Sequence, residues 1–71
     1  MSVMADLAMR YLDAAHARAE RITKLLAQAK SALSQGRPAA ASKHVSDAIA
    51  EVRAMPVYMR AASEALERLL R

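Results

Sequence analysis

Residues 34–40, Ser-Gln-Gly-Arg-Pro-Ala-Ala, are the strongest interruption in an otherwise helix-favouring chain. Gly36 suits the left-handed position that closes a helix, and Pro38 suits the first turn of the next. Between them they constrain the fold more than any other feature. The 71 residues divide there into two arms of nearly equal length. Each arm, as a helix, would run for about 50 Å. The expected architecture is all-α: a helix over residues 2–35, a turn at 36–37, and a helix over residues 38–71, in one domain spanning 1–71. A turn this short makes the helices antiparallel neighbours.

Composition supports that expectation. There is one glycine and there are two prolines. No segment alternates with a period of two, so strands are not expected. No cysteine is present to build a disulfide framework or a thiolate metal site. The first residues, Met-Ser-Val-Met-Ala-Asp, lack the basic-then-apolar pattern of a secretory signal. No run approaches the ~18 apolar residues of a membrane span. A cytoplasmic location, without membrane attachment, is the expectation.

In the second arm, apolar residues recur at Ala41, Val45, Ala48, Val52, Met55, Met59, Ala62, Leu66 and Leu69. This four-three spacing crosses Pro56 in phase. Two helices joined by a loop would have no reason to share one register. The reading is therefore a continuous second helix, kinked at Pro56. The first arm carries a wider stripe: Met4, Ala8, Tyr11, Leu12, Ala15, Ala19, Ile22, Leu25, Leu26, Ala29 and Leu33. Antiparallel alignment brings Glu20 level with Arg53, Asp13 with Arg60 and Arg10 with Glu64.

A hairpin gives each helix one neighbour, which leaves apolar surface at Leu12, Ala19, Leu26, Leu33, Ile49 and Leu70. Dimerisation into a four-helix bundle would cover it. The expected partner is thus first of all a second copy. In shape this resembles the Rop-type hairpin dimer, although no motif here matches Rop's RNA-binding residues.

No catalytic residue, cofactor site or metal site is expected. Asp13, His16 and Glu20, and likewise His44, Asp47 and Glu51, have helical spacing that could hold a metal. They flank the apolar stripe, however, and read as solvated charge. No phosphate loop or nucleophile–base pair is visible. An enzyme is not expected.

The net charge of +4 admits an acidic partner. A nucleic-acid face would use Arg18, Arg21 and Lys24. Acidic residues are interleaved with the basic ones, and only Tyr11 and Tyr58 could stack on bases. Arg18 lies near the stripe, level with Met55 and Pro56. It would either reach the Val52 carbonyl or extend its head into water. Apolar residues off the stripe gather towards the open half and near Pro56. Leu7, Met9, Val57 and Tyr58 are therefore the candidate partner-binding residues. The functional expectation is a non-catalytic interaction module that binds an unidentified protein and regulates or inhibits it. An adaptor or a phage- or plasmid-type inhibitor would have this form. The alternative is a Rop-like hairpin dimer that binds RNA or DNA through its basic face.

Overall fold

The computed structural model describes residues 2–71. Two helices, α1 (Val3–Ser34) and α2 (Pro38–Leu70), pack against each other as a hairpin. The Cα outline measures 54 × 18 × 12 Å, so the molecule is a flat rod two helices wide.

The helix ends follow local chemistry. Ser2 is extended, and its hydroxyl accepts the Ala5 amide at 3.4 Å, which caps α1. The first helix therefore starts one residue later than expected. At its other end Gly36 takes a φ of 70°. That places the Gly36 amide 3.0 Å from the Leu33 carbonyl and the Arg37 amide 2.9 Å from the Ala32 carbonyl. The two bonds form a Schellman motif, which satisfies carbonyls the helix leaves open. Pro38 then starts α2 at a position where no amide hydrogen is needed. Helix α2 runs through Pro56 without interruption.

The seam between the helices is made of small residues. Ala8, Ala15, Ala29 and Ala32 of α1 are buried with Ala41, Ala48, Ala62 and Ala65 of α2. No large side chain is fully buried among the described residues. Along α2 the seam follows Ala41, His44, Ala48, Glu51, Met55, Tyr58, Ala62 and Ala65, each buried or half-buried. Along α1 it follows Met4, Ala8, Tyr11, Ala15, Arg18, Ile22, Leu25, Ala29 and Ala32.

This differs from the stripe expected in α2. The alanines and Met55 are shared, but Val45, Val52, Met59, Leu66 and Leu69 are exposed. The alternate positions of the seam go to His44, Glu51, Tyr58 and Ala65 instead. A row of alanines on a helix has a neighbouring row on each flank, and either can complete a four-three repeat. Hydropathy favours the aliphatic flank. The hairpin uses the other.

The expected cross-helix charge pairs change for the same reason. Glu20, Asp13, Arg53 and Arg60 lie at matching heights but on the outer edges of the hairpin. The seam is crossed by Arg18–Glu51 and Arg21–Glu51 instead.

Candidate interaction surfaces

Two faces flank the seam, and they are chemically unlike. On one, Leu12, Leu26 and Leu33 of α1 run beside Val45, Val52, Met59 and Leu66 of α2, all exposed. In α1 these leucines recur at seven-residue intervals or multiples of them, with Ala19 completing the row. Each row is therefore a straight line one position off the seam. In an antiparallel pair, rows of the same heptad type lie on the same side, so the two lines form one surface. Leu12, Met59, Leu66 and Leu70 share a shallow apolar groove there, which confirms that both helices contribute. Ile49 and Leu70 extend the face at its α2 edge, and Leu70 is 87% exposed.

The opposite face is small and polar, with shallow depressions along it. One is lined by Met4, Leu7, Tyr11, Ala61, Glu64 and Arg68. The next is lined by Ala14, Ala17, Arg18, Arg21 and Tyr58. Nearer the turn, another is lined by Gln28, Ser31, Gln35, Arg37 and His44.

The centre of this polar face is held by one buried acid. Glu51 is 8% exposed. The Arg18 Nη1 donates to its Oε2 at 2.9 Å, and the Arg21 Nε stands 3.5 Å from its Oε1. The Arg18 Nη2 also donates to the Tyr58 hydroxyl at 3.3 Å, while its Cζ lies 5.3 Å from the Tyr58 ring centroid. Arg18 thus bridges Glu51 and Tyr58, which are seven residues, or two turns, apart on α2. The hydrogen bond to Glu51, and then that to Tyr58, raise the Arg18 pKa above its ordinary value, so the guanidinium stays charged. Arg18 therefore neither reaches the Val52 carbonyl nor simply extends to water: a buried carboxylate holds it.

Glu51 is the residue that sequence reading missed. In the sequence it groups with His44 and Asp47 as solvated charge. The available signal was its place seven residues from both His44 and Tyr58, beside the alanine row. An acid at that position is buried at a cost unless cations meet it. Arg18 and Arg21, one turn apart on α1, do so.

The other candidates separate. Leu7 and Tyr58 line neighbouring depressions on the polar face. Both are half-buried, whereas Val57 and Met9 are exposed. Heptad position puts Val57 beside the polar face and Met9 on the flank of the apolar one. The structure thus brings Leu7, Val57 and Tyr58 to one side and leaves Met9 on the other. Arg18, Arg21 and Lys24 also share the polar side, Arg21 and Lys24 in one depression. Two of these three cations are engaged by Glu51.

His16–Glu20 at 3.4 Å and Lys43–Asp47 at 3.2 Å are exposed pairs within single helices. An exposed Lys–Asp pair at this spacing contributes about 0.3–0.5 kcal/mol. Among the described residues, no three His, Cys, Asp or Glu side chains gather as metal ligands, and no helix is long and apolar enough to cross a membrane. Compared with protein-family models, curated proteins and solved structures, the chain matches none.

Proposed function

We propose that this chain is a non-catalytic interaction module, acting in the cytoplasm, whose hairpin pairs with a second copy as a four-helix bundle and binds a protein partner that it regulates or inhibits. One observation carries the reading: the hairpin buries alanines and Glu51 while Leu12, Leu26, Leu33, Leu66, Leu69, Leu70, the valines and Met59 remain exposed. Apolar surface on that scale is an interaction surface. Assigning the apolar face to self-association leaves the polar face for the partner. Leu7, Tyr58 and the adjacent Val57 offer it an aromatic and aliphatic anchor of the kind that dominates interface energetics. Met9, on the other flank, would contribute at the edge of the self-association face.

The reading includes a bend of α2 at Pro56. Proline has no amide hydrogen to give the Val52 carbonyl, and its ring crowds that oxygen.

The alternative, nucleic-acid binding through Arg18, Arg21 and Lys24, has less support. Glu51 already neutralises part of that set. The two readings differ in salt response. Phosphate contacts weaken steeply as salt rises, whereas a largely apolar protein contact changes little. The test is light scattering for the dimer mass, followed by affinity capture at low and high salt with wild type and Leu7→Asp. A protein captured at both salt concentrations by wild type alone supports the proposal. Capture of nucleic acid that disappears at high salt, with no protein retained, refutes it.

A further inference from the structure

We infer that the second copy docks on the apolar face with both turns at the same end, so that α1 of each hairpin lies against α2 of the other. This rests on the four-helix reading above and adds its orientation.

Face-to-face dimers with two-fold symmetry have two choices. An axis along the helices puts the turns together and sets α1 on the second copy's α2. An axis across the helices puts the turns at opposite ends and sets each helix on its own duplicate. The face is long enough for either: its 54 × 18 Å outline is on the order of 1,000 Å², against the ~800 Å² per partner of a standard interface.

The charges along the rim distinguish them. Glu20 lies on the outer edge of α1 and Arg53 on the outer edge of α2, both exposed. They stand at the same height, because residues that meet across the hairpin have numbers totalling about 72, as Arg21 and Glu51 do. Asp13 and Arg60 are matched in the same way. Within one hairpin each pair is separated by the full width of the molecule. With the turns together, the outer edge of α1 meets the outer edge of the second copy's α2 at unchanged height. Glu20 then faces Arg53 of the second copy and Asp13 faces its Arg60, each twice by symmetry.

With the turns apart, heights are reversed about the helix midpoints. Glu20 lies near the middle of α1 and Arg53 near the middle of α2. Each would then face its own duplicate, and like charges opposed in this way are unfavourable. The same-end arrangement has one mismatch, Asp6 against Glu67. It falls at the open end and is one pair against the two favourable ones, Glu20–Arg53 and Asp13–Arg60.

The apolar rows agree. Turns together place Ala19 opposite Val52 of the second copy and Leu12 opposite its Met59. Leu26 meets Val45. The one small residue of the α1 row, Ala19, thus meets a larger side chain rather than its own duplicate, which avoids a gap at the centre of the interface.

The test places a nitroxide on Gln35→Cys, at the exposed end of α1, and measures the separation of the two labels by pulsed dipolar spectroscopy. Turns together give a separation of roughly 20 Å, set by helices packed 8–10 Å apart. Turns apart give a value near the 54 Å length of the rod. In parallel, Glu20→Arg and Arg53→Glu should each weaken dimerisation about tenfold, and the double variant should recover to within about threefold. A dimer mass with the long separation overturns the orientation and leaves the four-helix reading standing. A monomer mass with helicity intact overturns both. A short separation without charge rescue overturns the rim pairing that carries the inference.

Discussion

Leu26→Ala distinguishes a self-sufficient hairpin from one completed by a second copy, because the two give different magnitudes. Leu26 is 46% exposed in the hairpin. Burying a leucine side chain fully contributes about 1.5–3 kcal/mol, so one that keeps nearly half its surface in water contributes about 1 kcal/mol. A leucine covered on all sides costs about 2–5 kcal/mol when truncated, because a cavity remains. At about 3 kcal/mol per copy, a dimer loses about 6 kcal/mol, which is roughly 10⁴-fold in its combined folding and association equilibrium. Helix propensity does not blur the comparison, since alanine and leucine are both strong helix formers. The assay is urea unfolding at several protein concentrations, with sedimentation equilibrium on the same samples. The dimer predicts a wild-type midpoint that rises with concentration and a variant that sediments as a monomer under conditions where wild type is a dimer. A loss near 1 kcal/mol with no concentration dependence in either protein would refute the reasoning.

Pro56→Ala should keep α2 helical and raise the melting temperature, since an interior proline costs about 3 kcal/mol in lost hydrogen bonding and ring contacts. A lower melting temperature would show that the surrounding packing requires the proline. Gly36→Ala should lower stability by about 1–2 kcal/mol with the dimer mass unchanged. Nothing lies within 4 Å of the added Cβ, so the penalty is that of the positive φ alone and shows in thermal melts. Tyr58→Ala should weaken partner capture about 30-fold while helicity and dimer mass hold, measured by titration against the captured protein. Collapse of the fold would instead show that the seam depends on Tyr58 and its bond from Arg18, and would refute its role as a partner anchor.

The sequence alone determined the hairpin. Gly36 and Pro38 act through backbone conformation within a few residues, so their effect does not depend on what packs nearby. The alanine- and leucine-rich arms state helix by composition, and a four-three repeat that stays in phase across Pro56 states one helix there rather than two. Tertiary structure alone decided which flank of the alanine rows the hairpin uses. Both flanks of α2 keep the same repeat, so periodicity could not choose between Val45, Val52 and Met59 and the polar row of His44, Glu51 and Tyr58. The choice depends on α1, where Arg18 and Arg21 stand 33 and 30 positions from Glu51 in the chain and within ion-pair reach of it in the fold. Hydropathy scores each residue by its cost in apolar surroundings and has no means of counting a cation that arrives from the other helix. A buried carboxylate is tolerated where its charge is met, and only the packed pair of helices brings the charges together.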